Sequence, residues 1–359
     1  MRKIALYINT LGFGGAERVL CNLAKQLSQK GNEVILITSY ASEKEYSCGE
    51  TVRRICLSDY RIDRFIKRNI CLTKRLRRVL QTEKPDILIS FMAEPNYRAI
   101  LASLGLKNKV MISIRNDPDR EYPGVLNRIF AKCIFRLADG VVFQTKDARK
   151  WFPISIRKKS EIIFNQVDEA FYNTKPVLPR RDIVTAGRLT AQKNHKMLIR
   201  AFAAIADRFS DNLIVYGEGE LRGELESLIA ELHMEKRIFL PGITNNLSKE
   251  IASAKLFVLS SDYEGMPNAL MEAMAMGIPC ISTDCPCGGP RILFGELLAD
   301  NLCACGDQEG LSRKMEKMMA QNADGIKEKK LSEQFSSKIV FDKWEKYIAK
   351  VCNRNAHNN

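Results

Sequence analysis

The chain has 359 residues, of which 45% are hydrophobic and 27% charged, with a formal net charge of +14. That length exceeds what one hydrophobic core usually supports, so two domains of roughly 170 residues are expected. The apolar content excludes a disordered chain, and no apolar run approaches the roughly eighteen residues of a membrane-spanning helix. Charge is unevenly spread: residues 1–170 hold 31 Lys+Arg against 18 Asp+Glu, the remainder 25 against 24. A negatively charged partner is therefore expected to meet the first half. Eleven cysteines, an odd number scattered among the elements, point to a reducing compartment.

In chain order, residues 4–8 read as a first strand, and their short apolar run leads directly into glycines, unlike a signal peptide. Gly12-Phe13-Gly14-Gly15 then opens a helix with Val19, Leu20, Leu23, Ala24 and Leu27 on its apolar side. These glycines allow backbone to approach a phosphate. The spacing is not Gly-x-Gly-x-x-Gly, and the second strand, 33–39, lacks the terminal acid that holds an NAD ribose, so nicotinamide binding is not expected.

Residues 61–80 hold eight cations and one acid, including Arg64, Lys67, Arg68, Lys74, Arg75, Arg77 and Arg78. Ile62, Phe65, Ile66, Ile70, Leu76, Val79 and Leu80 recur at helical spacing, which predicts an amphipathic helix with a basic rim. Such a helix suits an anionic membrane surface. With Phe65 as its one aromatic, it does not suit nucleic acid. Strands are expected at 86–90, 110–114 and 140–144. Arg115 and Asn116, which follow the second of these, are candidates for the cleft expected between two domains. Asp117-Pro118-Asp119 reads as a turn, not a metal site.

The expected break is Asn173 to Arg181, where two prolines interrupt all periodicity, giving domains 1–172 and 173–334, with the helix 335–359 joined to the first. Strands at 183–186, 213–216, 238–240, 256–259 and 279–282 repeat the βα alternation of a parallel sheet. After the first of these, Arg188 and Lys193 sit on a strand-to-helix loop and suit a diphosphate, Arg as a planar fork and Lys as a point charge. After 256–259, Tyr263 to Gly277 sets Glu264 at a strand end and Glu272 just over a turn into a helix that begins near Pro267 or Asn268. The backbone from Gly265 through Met266, Pro267, Asn268 and Ala269 to Leu270, with an N–H donor at every position but Pro267, lies where an anion is favoured. Cys285-Pro286-Cys287 and Cys303-Ala304-Cys305 lack the usual spacing of zinc ligands, and no metal site is expected.

Glu264 and Glu272, with the flanking Gly-Met-Pro and the Glu-Ala-Met-Ala-Met-Gly continuation, resemble the Glu-seven-residues-Glu signature of family 4 (group 1) retaining glycosyltransferases. The resemblance covers most of residues 1–350. It implies the α/β GT-B fold: two Rossmann-like domains with parallel sheets facing a cleft, the first binding acceptor and the second the nucleotide sugar, and a C-terminal helix crossing back to the first. It further implies catalysis by Arg188, Lys193 and Glu264 without metal or cofactor. Gly14 and Gly15 would lie over the donor pyrophosphate, Glu264 on sugar hydroxyls and Glu272 on the ribose. The loop 283–293 resembles the version in enzymes of capsule, exopolysaccharide and O-antigen assembly, although Arg291 stands where many relatives have Glu. Relatives often carry a His near Arg115 and Asn116; this chain does not.

The expected activity is retaining transfer of a hexose or N-acetylhexosamine, N-acetylgalactosamine foremost, from a UDP-sugar to a polyprenyl-linked saccharide. It is placed in the cytoplasm, peripherally on the inner face of the cell membrane. A UDP-sugar epimerase and a non-catalytic membrane- or nucleic-acid-binding protein on the same fold are the alternatives.

Overall fold

The computed structural model describes residues 1–12, 14–60, 63–244, 246–321 and 323–353, so Phe13, Arg61 and Ile62 of the sequence reading lie outside the described residues. Among the described residues thirteen strands form two sheets. In the first, β1 (Lys3–Ile8), β2 (Glu33–Tyr40), β3 (Arg53–Ser58), β4 (Ile87–Phe91), β5 (Lys109–Ser113), β6 (Gly140–Phe143) and β7 (Ser160–Ile162) run in the order β3-β2-β1-β4-β5-β6-β7. The second holds β8 (Arg181–Ala186), β9 (Leu213–Tyr216), β10 (Ile238–Gly242), β11 (Ala254–Leu259), β12 (Cys280–Thr283) and β13 (Leu302–Cys303), in the order β10-β9-β8-β11-β12-β13. Neighbouring strands are parallel throughout. The order reverses between β1 and β4 and again between β8 and β11. In doubly wound sheets ligands bind at such points, beyond the carboxyl ends of the strands.

The central strands are buried on both faces, which is why they read as continuous apolar runs: Ile87 to Phe91 and Leu256 to Leu259 are buried throughout. The chain divides into two compact units, Met1–Asn165 with the segment from Lys338, and Gln166–Ser337. This division falls earlier than the 173–181 linker, because Val167 bridges Ser336 and the Tyr172 hydroxyl donates to the Ser332 carbonyl at 2.7 Å. Both contacts tie residues 166–172 to the second unit.

The C-terminal helix, Ser337–Asn353, completes the first unit, as the GT-B fold implies. Val340, Phe341, Trp344, Tyr347, Ile348 and Val351 are buried in the same core as β1 and β4. Trp344 stacks on Phe91 with ring centroids 5.7 Å apart, and the Tyr347 hydroxyl takes the Val141 N–H at 3.0 Å and donates to the Lys159 carbonyl at 2.6 Å. Ile339, on the same helix, is exposed.

The basic helix spans Phe65–Glu83, and its buried residues are Leu72, Leu76 and Leu80. The apolar positions of its first two turns, Phe65, Ile66 and Ile70, are exposed instead of packed. Cys21 and Cys48 are placed as a disulfide, and the other nine cysteines are free.

Candidate functional site

The reversal point of the second sheet gathers two loops distant in sequence. The loop after β8 is pinned by backbone on both sides of Arg188: Gly187 N–H donates to the Tyr216 carbonyl at 2.9 Å and Leu189 N–H to the Glu218 carbonyl at 2.9 Å. That contact requires glycine beyond β9. A Cβ on Gly217 would lie 1.9 Å from the Gly187 carbonyl oxygen, and one on Gly219 2.4 Å from that of Leu189. Gly217 also holds φ at +142°, which side chains disfavour. The sequence reading passed over Gly217-Glu218-Gly219, although a Gly-x-Gly directly after an apolar strand is the signal that marks it. With its backbone so held, the Arg188 side chain is exposed.

The rest of this loop is stitched to the segment after β11. Gln192 donates to the Tyr263 carbonyl at 2.9 Å, Asn194 to the Asp262 carboxylate at 2.8 Å, and the Ser260 hydroxyl to the Lys193 carbonyl at 2.9 Å. These bonds bring Lys193 Nζ to 2.5 Å from Glu264 Oε1, and the same oxygen accepts the Ser261 hydroxyl at 2.8 Å. Glu264 is 6% exposed and Glu272 4%. Burying an unpaired carboxylate is costly, and the Lys193 ammonium and the Ser261 hydroxyl offset that cost for Glu264.

The helix Asn268–Ala275 begins with Pro267 at its cap, and Gly265, Met266 and Leu270 are buried while Asn268 and Ala269 are half-exposed. Gly289 closes over this turn: a Cβ there would lie 2.0 Å from the Gly265 carbonyl oxygen. Cys285 and Cys305 direct their thiols to the Ser261 carbonyl, at 3.0 and 3.7 Å, and Arg291 pairs with Asp284 at 2.7 Å. His195, next to Lys193, is 3% exposed; burial, reinforced by the Lys193 charge, lowers its pKa to about 4, so it is neutral near pH 7.

The other sequence-picked residues lie in the first unit. Gly14 caps the helix Gly15–Gln29, and the Glu17 carboxylate folds over it so closely that a Cβ on Gly14 would lie 2.1 Å from Glu17 Oε2. Arg115 is buried, stacked 4.5 Å from the Phe91 ring centre and donating to Asn165. Asn116 is half-exposed and its side chain takes the Asp117 N–H at 2.9 Å. Asp117 caps the turn that follows, while Asp119 accepts from the Trp151 indole at 2.9 Å.

The cations of the basic helix divide into two groups. Arg68 pairs with Glu94 at 3.0 Å, Arg75 donates to the Leu57 carbonyl at 2.7 Å, and Arg77 donates to the Ala102 and Leu104 carbonyls at 2.9 and 2.6 Å. Arg64, Lys67, Lys74 and Arg78 remain exposed.

Each of the two units is a doubly wound parallel sheet, and the second holds a paired Lys and Glu at its reversal point. Family models agree: residues 168–338 match "Glycosyl transferases group 1" and residues 13–171 match "Glycosyltransferase Family 4". The chain belongs to this glycosyltransferase family. It is 31% identical over 312 residues to the N-acetylgalactosamine-N,N'-diacetylbacillosaminyl-diphospho-undecaprenol 4-alpha-N-acetylgalactosaminyltransferase of Campylobacter jejuni, covering 82% of this chain and 84% of that protein. A second Campylobacter jejuni relative, an alpha-1,4-N-acetyl-D-galactosaminyltransferase acting on a GalNAc-containing diNAcBac-PP-undecaprenol, is 27% identical over 98% of this chain and all of its own length. Among solved structures, Anabaena Alr3699/HepE in complex with UDP and glucose superposes with a TM-score of 0.82 at 16% identity, over 97% of this chain and 100% of that one, a likeness of fold.

Proposed function

We propose that the protein is a retaining, metal-independent glycosyltransferase that moves an N-acetylhexosamine, N-acetylgalactosamine foremost, from a UDP-sugar to a polyprenyl-diphosphate-linked saccharide in cell-surface polysaccharide synthesis. The observation that carries the reading is the Lys193–Glu264 pair, made across 71 residues of sequence at the reversal point of the second sheet. Arg188 and Lys193 supply the charge that a departing diphosphate gains, and Glu264 supplies an acceptor for sugar hydroxyls. Glu272 accepts from the ribose, and the amides from Gly265 to Leu270, with Gly14 and Gly15, lie along the donor. The acceptor class follows the Campylobacter relatives, whose names specify undecaprenyl-linked substrates.

Peripheral attachment to the inner face of the cell membrane belongs to the same reading. Among the described residues no helix is long and apolar enough to cross a membrane. Arg64, Lys67 and Lys74 line one shallow groove with Phe65, Ile66 and Ile70, which joins exposed apolar surface to exposed cations. The helix Val125–Ile134 adds Val125, Leu126, Ile129 and Phe130, all exposed, with Arg128 and Lys132 among them. Phe130 lies 5.2 Å from Tyr97 on the helix Ala93–Ser103, whose Glu94 holds Arg68, so the two exposed faces adjoin the same helix. Apolar wedges flanked by cations suit an anionic leaflet.

The test is UDP release from a panel of UDP-sugars, in EDTA, with a membrane lipid extract as acceptor source. Release from one sugar, lost in Arg188→Ala, supports the reading and names the donor. Binding to anionic vesicles without affinity for UDP would turn it toward a non-catalytic protein on this fold.

A further inference from the structure

The two Cys-x-Cys runs set aside as metal ligands come together in the second unit, beside the loop that carries Glu264. Among the described residues no group of three or more His, Cys, Asp or Glu side chains is arranged to hold a metal ion. β12 and β13 pair Thr283 with Cys303, and the Asp284 N–H donates to the Cys303 carbonyl at 2.7 Å. Cys285 and Cys305 each follow that paired position by two residues, one on either segment. Both sulfurs come within hydrogen-bond reach of the Ser261 carbonyl oxygen, at 3.0 and 3.7 Å, and of each other. Paired strands lie about 4.8 Å apart, inside the roughly 4.4–6.8 Å that a disulfide spans between α-carbons. The two thiols differ in access: Cys285 is buried and Cys305 exposed.

An exposed thiol beside a buried one is the arrangement by which proteins take up an oxidant and resolve it. The hydrogen bond with Cys285 lowers the Cys305 pKa, opposed by desolvation and by the Asp262 and Asp284 carboxylates, while the same bond, with burial, raises that of Cys285. Cys305 is therefore the attacking sulfur and Cys285 the resolving one. The oxygen that both approach is bound into the site. The Ser261 carbonyl also takes the Thr283 hydroxyl at 2.5 Å, and the Ser261 hydroxyl donates to Glu264 Oε1 at 2.8 Å. Cys285 stands on the loop whose Gly289 closes over Gly265. A bond between the two sulfurs removes both S–H groups from the Ser261 carbonyl and ties this loop to the turn that follows β13.

We propose that Cys305 and Cys285 are a site of reversible oxidation by low-molecular-weight disulfides, and that the bond they form lowers the affinity of the neighbouring loop for a nucleoside diphosphate. Cys305, as the thiolate, attacks one sulfur of the small disulfide. That S–S bond breaks, and the departing small thiolate takes up the proton that Cys305 released to solvent. Cys285 then resolves the mixed disulfide: its sulfur gives up a proton and attacks Cys305 Sγ, and the second small thiol leaves with that proton. Two protein thiols are oxidised and one small disulfide is reduced to two thiols, so an excess of thiol reverses the step. The effect on the donor rests on the transferase reading above; formation of the bond does not.

The experiment takes the full chain through oxidised glutathione and then excess dithiothreitol, locating the bond by fragmentation of the linked peptides in a mass spectrometer and measuring UDP affinity by calorimetry. The Cys285–Cys305 bond is expected to form and UDP affinity to fall about tenfold, the scale of the hydrogen bonds lost, with both changes undone on reduction. Cys305→Ser, at an exposed position, should bind UDP as the reduced wild type does and should not respond to oxidised glutathione. Should that variant melt early, Cys285→Ala is expected to stop at one glutathione held on Cys305. Cys305 left reduced in the wild type, retained as a glutathione adduct or bonded to another cysteine overturns the pair. A Cys285–Cys305 bond with unchanged UDP affinity overturns its effect on the donor loop. Absent UDP binding in the reduced wild type overturns the transferase reading, and the peptide mapping then decides the oxidation site by itself.

Discussion

The two sheets share an arrangement, β3-β2-β1-β4 in the first matching β10-β9-β8-β11 in the second, but treat charge in opposite ways. At the reversal point of the second, Lys193 is matched to Glu264, and backbone bonds on each side of Arg188 fix its loop. At that of the first, Arg115 is buried without an ion pair among the described residues, and exposed cations lie on a helix beyond. The difference follows the charge count, near balance after residue 170 and far from it before. One fold thus holds charge in two ways: self-satisfied in the second unit, where Lys193 and Glu264 hold each other, and in the first either buried against a ring and an amide, as Arg115 is, or left exposed.

The largest effect is expected where the second unit leaves a charge uncommitted. Arg188→Ala should lower turnover about 10²–10³-fold, or about 2.7–4 kcal/mol, while weakening ground-state donor binding less. Equal losses in kcat and donor affinity, measured side by side, would show that the charge serves binding alone. Next is the turn that carries Glu264. Gly289→Ala sets a Cβ against the Gly265 carbonyl oxygen, an overpacking cost of up to about 3 kcal/mol. Thermal unfolding reads the stability, and UDP affinity reads whether the amides after Gly265 have moved; a melting point equal to wild type would mean that the loop yields freely.

The same contrast governs what the sequence made legible. Ten strands announced themselves as apolar runs, nine of them interior to the sheets and β10 at an edge, whereas β3, β7 and β13 did not. All three are edge strands; β3 begins with two exposed arginines, β7 is half-buried at every position, and β13 is two residues long. Edge positions do not demand the double burial that writes a pattern into sequence. Arg188, Lys193, Glu264 and Glu272 were legible because motifs at strand ends fix them locally, yet the Lys193–Glu264 pair itself is a tertiary contact and no spacing encodes it. The basic helix misled for a third reason. Helical periodicity finds apolar positions but does not say which are covered, and Leu72, not Phe65 or Ile66, faces the sheet.

His195 offers a smaller test of the self-satisfied unit. Its pKa is lowered to about 4 in the folded chain, by burial first and then by Lys193, against 6.5 as the ordinary value. The unfolded chain therefore binds a proton that the folded one refuses, and stability is complete above pH 6.5 and lost as pH falls toward 4. Near pH 5 the loss from this group is about 2 kcal/mol. Urea unfolding at pH 7 and pH 5 measures it, and His195→Gln should flatten the difference by that amount. A variant with the wild-type slope would place the titrating group elsewhere.

The smallest effects belong to the exposed cations of the first unit. Removing Arg64, Lys67, Lys74 or Arg78 singly should weaken binding to anionic vesicles by about 1 kcal/mol each. Arg68, Arg75 and Arg77 provide the internal contrast, because their guanidinium groups already serve Glu94 and the carbonyls of Leu57, Ala102 and Leu104. Substituting these should cost stability more than vesicle affinity. Co-sedimentation at two salt concentrations distinguishes the groups: the exposed set should reduce the salt dependence, since screening acts on charges that face solvent, and the committed set should leave it intact. Equal salt slopes for the two sets would mean that position on the helix, not commitment to the fold, decides which cations meet the membrane.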